Sequence, residues 1–198
     1  MRYRLATAED LDVIVELHTR VLNWSINGRL GVNHIHAMYE ALFSGDDVFG
    51  CVAERDGRLV GFIVATTNYA VARSRFRHKI GLRGALRVLL SCWRYPGDWI
   101  DIAETATVVP IVMARSGFSA ELLAWVTDPG DMLGRQAAVG CFRDALKEFL
   151  RRGHAKCLAQ VLKPNVPPNK FHARLGSRVL ASFFRNRIYL VDCEAKLG

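Results

Sequence analysis

The feature that most constrains the fold is the order of elements across residues 121–176. A short apolar run at 121–126 ends at Asp128-Pro129-Gly130, as expected for a buried strand stopped by a turn. Apolar residues then recur at helical spacing from 137 to 152, and a second apolar run follows at 157–162. Two such strands joined by one helix are typical of a right-handed parallel crossover. The sequence therefore predicts an α/β fold.

The start of the helix in this crossover is a candidate binding site for an anion. The first turn of a helix has free N–H groups, and the helix dipole places partial positive charge there. The second strand ends at Lys163-Pro164-Asn165 and is followed by a short helix that Leu175-Gly176 closes. This order favours a phosphate near the first helix and an asparagine loop beside it.

The rest of the chain reads as further strands and helices of the same domain. Thr7 is the expected N-cap of a first helix that runs to about Leu22. Asp56-Gly57 is a strong turn signal between two strands, which predicts a hairpin. The other predicted elements are a strand at 3–6, a helix at 34–43, hairpin strands at 49–54 and 59–67, and two strands within 179–191 around Arg185-Asn186.

These elements, with the phrase Val52-Ala53-Glu54-x-x-Gly57-x-Leu59-Val60-Gly61-Phe62, resemble the GCN5-related N-acetyltransferase (GNAT) superfamily. The resemblance implies one domain over residues 1–198. It also implies a central mixed, mostly antiparallel sheet with a splayed pair of fourth and fifth strands and flanking helices. Residues 69–119 lie outside the resemblance, because the common fold needs only a short connection there, and we expect them to form a helical basic insert.

The resemblance further implies acetyl-CoA, or another acyl-CoA, as co-substrate. The superfamily's phosphate loop is Arg or Gln, two residues, Gly, one residue, then Gly or Ala. One register places Gln136 and Ala138 at the two glycine positions, and another takes Arg135 as the leading arginine, with Ala138 and Gly140 there. Both registers lose the first glycine. The loop residues expected to contact the cofactor are Gly134, Arg135, Gln136, Ala137, Ala138, Val139 and Gly140.

Glu121 begins the predicted fourth strand, where many members of the superfamily keep a general base. A carboxylate there can take a proton from an amine directly or through a water molecule. The alternative is a solvent-facing acid at a strand end. A backbone N–H of this strand binds the thioester oxygen in the superfamily, which points to the region of Val126.

The loop after the fifth strand supplies the other candidate residues. Asn165 matches the superfamily's asparagine, and Phe171-His172 stands where an aromatic residue and a tyrosine usually occur. By resemblance, Asn165 and Phe171 contact the cofactor, and His172 takes the tyrosine's place as the acid that protonates the departing thiolate. The alternatives are a surface histidine on a short helix and protonation by bulk water.

Charge is unevenly distributed along the chain. The formal net charge is +8, and residues 57–97 contain no Asp or Glu. Read as a helix, residues 79–94 are amphipathic, with Lys79, Arg83, Arg87 and Arg94 on one face. Three interpretations stay open: a solvated basic face on a helix packed against the core, an electrostatic collar for an anionic substrate such as a nucleotide-linked sugar, and contact with an anionic membrane. Nucleic acid is not favoured, because aromatic residues are not interleaved with the arginines.

Cysteine and histidine placement favours neither disulfides nor a metal. The five cysteines are scattered and odd in number, as expected for small core residues in a reducing cytoplasm. His34 and His36 would point to opposite sides of a helix, so no metal site is expected. Early acids at 9, 10 and 12 do not fit a signal peptide, and no apolar run reaches membrane-spanning length. We therefore expect a cytoplasmic protein, with peripheral membrane contact possible, as a monomer or homodimer.

Together the sequence predicts an enzyme that moves an acetyl group from acetyl-CoA to a primary amine of a small molecule or sugar-linked substrate. The acceptor could carry an anionic group. The alternative is a catalytically weak GNAT-like protein that binds acyl-CoA or another anion and acts by interaction, for example at a membrane surface. Glu121, Asn165 and the strand order favour the enzyme, whereas the degenerate loop and the missing tyrosine favour the alternative.

Overall fold

The sheet of this protein, taken from a computed structural model that describes residues 1–197, has one parallel strand pair at its centre. Its strands are β1 Arg2–Leu5, β2 Val48–Arg55, β3 Arg58–Thr66, β4 Glu121–Thr127, β5 Lys156–Leu162, β6 Arg178–Ser182 and β7 Asn186–Asp192. They lie in the order β1-β2-β3-β4-β5-β7-β6, and every neighbouring pair except β4 and β5 is antiparallel. The predicted mixed, mostly antiparallel sheet is confirmed.

Strands β4 and β5 pair only at their beginnings. Glu121 lies opposite Leu158 and Leu122 opposite Ala159, after which the two strands separate. β4 continues along β3, and β5 continues along β7. The opening between residues 123–127 of β4 and residues 160–162 of β5 is called the β4–β5 gap below. It is the splayed pair that the sequence predicts.

Helices cover both faces of the sheet. Their bounds are α1 Leu11–Val21, α2 Ile26–Arg29, α3 Val32–Phe43, α4 Tyr69–Arg94, α5 Asp98–Ala103, α6 Val109–Ser116, α7 Gly134–Arg151 and α8 Val166–Arg174. Helix α7 buries its apolar stripe, including Cys141, Leu146 and Phe149, against one face. Helices α1 and α3 bury Ile14, Ile35 and other apolar side chains against the opposite face. The crossover from β4 through α7 to β5 is therefore as predicted.

The hairpin of β2 and β3 turns at Asp56 and Gly57. Both residues have positive φ, 53° and 76°, as a two-residue turn of type I′ requires. The turn was predicted from these two residues alone, because Asp and Gly are among the residues that tolerate this backbone region.

Residues 69–119 fold mainly as helices. Helix α4 bends sharply at Gly81, whose φ of 53° and ψ of −162° lie outside the helical region. Its first half packs on α3, where Phe76 meets His34 and Lys79 pairs with Glu40, and its second half is mostly exposed. Helix α5, a π-helical turn at Glu104–Val108 and helix α6 then return the chain to β4 through Gly117, which has φ of 74°.

Buried acids anchor this helical segment to the remainder of the domain. The carboxylate of Glu104 accepts hydrogen bonds from the backbone N–H and side-chain amide of Asn186, at 2.9 and 2.8 Å. Asp101 pairs with Arg185 at 2.8 Å, and Asp98 pairs with Arg29. Arg29 also lies 4.4 Å above the ring of Tyr95. The segment is therefore fixed at α5 and at the π-helical turn.

All five cysteines are unpaired and buried in the core. Burial raises the pKa of the Cys141 thiol to about 12, and it raises the pKa of Cys51 still further. They pack as small apolar residues, as the sequence predicts.

Across residues 1–197, none of the helices combines the length and the apolar character needed to cross a bilayer.

Candidate active site

The carboxyl group of Glu121 is buried at the start of β4, just before the β4–β5 gap. The residue is 3 % exposed, and its Oε2 has no hydrogen-bond partner among residues 1–197. Burial raises the pKa of Glu121 to about 8, although Arg73 opposes this shift. A carboxyl group with such a pKa changes its protonation state close to neutral pH, as a general base must.

A pocket of about 520 Å³ opens beside this region, on the side of the sheet that α4 covers. Its wall includes Tyr69, Arg73 and Arg77 of α4 and Ser119, two residues before Glu121. The guanidinium of Arg73 donates to the Tyr69 hydroxyl at 2.7 Å and to the Ala106 carbonyl at 3.1 Å. Two guanidinium groups in one pocket favour a ligand that carries negative charge.

The edge of β4 that faces the gap presents backbone groups with no strand partner. A β-bulge at Leu123 interrupts the β3–β4 ladder, because Ala65 lies opposite Leu122 while Val64 lies opposite Ala124. After the bulge, the N–H of Asp128 donates to the Val60 carbonyl at 2.8 Å. Hydrogen-bonded pairs alternate in an antiparallel ladder, so the N–H of Val126 also points to β3. The neighbouring amides of Trp125 and Thr127 therefore face the gap, one residue away from the predicted Val126.

The first turn of α7 points toward the loop that joins it to β4. The N–H of Gly134 donates to Asp131, and the N–H of Ala137 donates to Leu133, both at 2.9 Å. Within the described residues, the amides of Arg135 and Gln136 have no backbone acceptor, as expected for a helix start. These two N–H groups lie at the positive end of the helix dipole.

The other predicted loop residues lie within the helix or serve packing. Ala138, Val139 and Gly140 belong to the second turn of α7, where backbone N–H groups bond to the preceding turn. A Cβ at Gly140 would overlap the ring of Tyr3, so this glycine permits close packing of β1 on α7. The expectation that amides from 134 to 140 are all available was therefore too broad.

Two aspartates, Asp128 and Asp131, hold the loop at 128–133 that precedes the predicted phosphate loop. Asp128 accepts a hydrogen bond from the Gly130 N–H at 3.0 Å, and Asp131 accepts one from the Leu133 N–H at 2.7 Å. Two arginines, Arg20 and Arg58, each lie 3.1 Å from the Asp128 carboxylate. Burial alone would raise the pKa of Asp128, but the Gly130 N–H and the two arginines hold it below its usual value.

A cluster of aromatic rings lies on the α7 side of the gap. Trp125 stacks on Phe142 of α7 with centroids 5.4 Å apart, and its ring meets Phe171 of α8 edge-on at 4.7 Å. Phe142 and Phe171 also touch, at 5.0 Å. The predicted cofactor contact Phe171 therefore lies beside β4, in contact with Trp125, which the sequence interpretation did not single out.

His172 lies behind this cluster and is 1 % exposed. Its ring stacks on Tyr189 with centroids 4.6 Å apart, and its Nδ1 is 3.3 Å from the Ser177 hydroxyl. Burial lowers the pKa of His172 to about 4, so the ring is neutral at pH 7. A neutral buried imidazole is a poor proton donor, which argues against the predicted acid role.

Asn165 begins α8 as its N-cap residue, directly after β5. The side chain that fixes this loop belongs to Asn169 instead. Its Nδ2 donates to the carbonyls of Leu162 and Asn165, at 2.9 and 2.7 Å, and its Oδ1 accepts from the Tyr189 hydroxyl at 2.9 Å. Sequence reasoning missed Asn169, and its position one helical turn after Asn165 was the available signal.

No protein-family model matches the sequence, and a search of curated proteins gives no match. Solved structures do match the fold over nearly their whole length. The N-acetyltransferase PaiA from Thermoplasma acidophilum, determined with coenzyme A, is similar at a TM-score of 0.55 and 14 % identity, covering 97 % of this chain and 99 % of that one.

Two further structures extend this similarity. SsHAT matches with a TM-score of 0.68 and 17 % identity, over 97 % of this chain and 98 % of the other. FdhC, described as a nucleotide-linked sugar GNAT, matches with a TM-score of 0.60 and 12 % identity, over 98 % and 87 %. At these identities the comparison concerns the fold. The chain has the GNAT fold, as its sequence resemblance implied.

Proposed function

We propose that the protein is an N-acyltransferase that moves an acetyl or other acyl group from acyl-CoA to a primary amine. The observation that carries the proposal is the buried carboxyl group of Glu121, whose Oε2 has no hydrogen-bond partner among residues 1–197, at the start of the strand that separates from β5. Burial of a carboxyl group without a partner is destabilising, and such groups are concentrated at functional sites. The similarity to a GNAT structure that contains coenzyme A supports the choice of thioester.

In this proposal the acyl-CoA lies along the β4–β5 gap. The free amides of Arg135 and Gln136 bind the pyrophosphate, supported by the dipole of α7. The amides of Trp125 and Thr127 lie on the gap edge and hydrogen-bond the thioester oxygen. They take the role that the sequence resemblance assigned to the region of Val126. The aromatic cluster of Trp125, Phe142 and Phe171 forms the apolar wall along which the pantetheine arm passes, and Asn165 contacts that arm at the end of β5.

The acceptor enters from the other side of the sheet, through the pocket lined by Tyr69, Arg73 and Arg77. Ionised Glu121 takes a proton from the acceptor ammonium, and the neutral amine attacks the carbonyl carbon of the thioester. The new C–N bond forms as the carbonyl oxygen takes up negative charge. Collapse of this intermediate breaks the C–S bond and releases CoA thiolate, and the nitrogen passes its extra proton to water as it becomes an amide. Water protonates the thiolate, since the environment of His172 does not favour the imidazolium form.

The two arginines of the pocket suggest an acceptor that carries a carboxylate or a phosphate as well as the amine. Similarity to a nucleotide-linked sugar GNAT is consistent with a phosphate-bearing acceptor. A sugar linked to a nucleotide and an amino acid would both offer such a group, so the proposal names the shared chemistry of an anionic amine.

One observation favours a second candidate, a protein that binds acyl-CoA weakly without efficient turnover. The amides of Gly130 and Leu133, just before α7, donate to Asp128 and Asp131 and are therefore not available to a phosphate. Calorimetry with acetyl-CoA and desulfo-CoA tests binding, and release of CoA from acetyl-CoA over a panel of anionic and neutral amines tests turnover.

Acyl transfer predicts binding of both thioester and analogue, and CoA release that Glu121→Gln abolishes. Glu54→Gln is the matched control, because Glu54 lies in β2 and pairs with Arg4 at 3.2 Å. Absence of binding at millimolar concentration would exclude both candidates. Binding of acetyl-CoA without CoA release in the presence of any amine would support the second candidate.

A further inference from the structure

The second half of α4 exposes its most apolar face to solvent. Five large apolar side chains between residues 82 and 94 are exposed, and the outermost of them, Leu82 and Trp93, are 87 % and 85 % exposed. These five residues, Leu82, Leu86, Leu89, Leu90 and Trp93, are called the apolar stripe. The sequence had left open that this face packs against the core, and the structure shows the opposite orientation.

The stripe is continuous along one side of the helix. At 3.6 residues per turn, its five members fall within an arc of roughly 100°. The buried residues Gly84 and Cys92 lie on the other side, against the protein. Arg83, Arg87 and Arg94, called the arginine stripe, occupy the arc next to the apolar stripe, and all three are exposed.

This orientation of the apolar stripe is fixed at both ends of the second half of α4. The helix bends at Gly81, where this half begins, and Cys92 is completely buried near its end. Beyond the helix, Arg29 pairs with Asp98 and lies over Tyr95. The apolar stripe is therefore held outward by the fold, and α5 adds the exposed side chains of Trp99 and Ile100 nearby.

We propose that the apolar stripe and the arginine stripe dock the protein onto an anionic lipid surface. A helix that lies in a membrane interface has an apolar face with Leu and Trp beside a basic face, and this half of α4 has both. Charge complementarity selects the partner, because residues 57–97 contain no acid and the chain carries a net charge of +8. The leucines would enter the acyl boundary, while the arginines contact phosphate groups of the lipids.

A second copy of the chain is the main competing occupant of this surface. An antiparallel two-fold contact between apolar stripes would place both arginine stripes on the same side of the interface, with no acid from residues 57–97 to separate them. Like charges close together oppose such an interface. An anionic bilayer offers apolar acyl chains to the apolar stripe and phosphate groups to the arginine stripe.

Vesicle flotation of the full chain tests the proposal without acyl-CoA, so its outcome is separate from the acyltransferase question. We expect binding to phosphatidylcholine vesicles that contain phosphatidylglycerol, weak binding to phosphatidylcholine alone, and weakening as salt rises. Leu86→Ser with Leu90→Ser should reduce binding at least about tenfold. Val179→Ser with Phe184→Ser is the matched control, since both residues are exposed on or beside β6, and it should bind like the unaltered chain.

The charge contribution is tested by Arg83→Ser with Arg87→Ser, which should weaken binding roughly 30-fold on about 1 kcal/mol per arginine. Arg2→Ser with Arg178→Ser removes the same charge from exposed positions in β1 and β6 and should have a much smaller effect. Circular dichroism and melting curves establish that each variant folds.

Absence of vesicle binding by the unaltered chain at low salt would overturn the proposal. Equal losses in the two arginine pairs, or no loss in the leucine pair, would also overturn it, because attraction would then depend on net charge alone. A dimer in light scattering that the leucine pair converts to monomer, with vesicle binding unchanged, would identify the stripe as a self-interface instead.

Discussion

The carboxyl groups at the two ends of β4 have pKa shifts of opposite sign. At its start, Glu121 is buried without a hydrogen-bond partner among residues 1–197, and its pKa is raised to about 8. Just beyond its end, Asp128 is also buried, but two arginines and the Gly130 N–H lower its pKa. The difference teaches that burial alone does not decide ionisation. One end is suited to exchanging a proton, and the other keeps a permanent charge that shapes a loop.

The largest expected effect comes from removing the ionisable group at the start of β4. Glu121→Gln keeps the size of the side chain and loses its basicity, so turnover should fall by at least about 100-fold. The affinity for CoA should stay within about twofold, because Glu121 lies on the acceptor side. Steady-state kinetics and calorimetry measure both quantities. A variant that retains most of its turnover would show that the two ends of β4 do not differ in catalytic role.

The pH dependence of acyl transfer by the unaltered protein sharpens the same comparison. The base must be ionised, and with a pKa of about 8 the ionised fraction rises about tenfold between pH 7 and pH 9. The value of kcat/KM should follow this rise. Asp128→Asn should leave the profile in place, since Asp128 is already ionised across this range. A rise centred near pH 6 or below would assign the profile to another group.

The two carboxyls should also change stability with opposite signs. Glu121 has a raised pKa when folded, so the free energy of unfolding should fall as pH rises from 4.5 to about 8. Asp128 has a lowered pKa, so its contribution is present above its usual value of 3.8 and is lost as pH falls through the folded value.

Chemical denaturation over this pH range measures the difference. Asp128→Asn should unfold about 1 to 3 kcal/mol more easily at pH 7. Glu121→Gln should become progressively more stable than the unaltered protein as pH rises toward 8. Identical pH dependence of unfolding in Glu121→Gln and the unaltered chain would show that folding does not raise the pKa of Glu121.

The smallest expected effect concerns His172. Because its ring is neutral and stacked on Tyr189, His172→Phe should preserve the packing and change turnover less than about threefold. Single-turnover kinetics would detect a slower release of thiolate if the ring were the acid. A loss near 100-fold in a folded variant would restore the acid role that the sequence resemblance implied.

Local sequence patterns predicted the elements that depend on neighbouring residues. The turn at Asp56-Gly57 and the crossover around α7 follow from turn chemistry and periodicity, whereas the early separation of β4 from β5 was expected only from the family resemblance. The sequence did not identify which amides of β4 face the gap, because the extra residue Leu123 shifts by one the alternation of N–H directions along the strand.

Other features depend on contacts between distant parts of the chain. Periodicity in α4 identified which residues share a face, but only tertiary packing decides that Gly84 and Cys92 point inward and the apolar stripe points outward. The conformation of the loop at 128–133 also depends on distant contacts. Arg20 and Arg58, both more than 50 residues away in sequence, donate hydrogen bonds to Asp128. The meeting of Trp125 with Phe171 also needs the folded sheet.

The burial of all five cysteines has a practical consequence for measuring the reaction. The product CoA carries a free thiol, which an aromatic disulfide reagent detects by colour. Folded protein should contribute almost no background, because thiols that are buried and protonated react slowly. The same reagent added to the protein alone would report opening of the core, so one chromophore can follow catalysis at early times and global unfolding at late times.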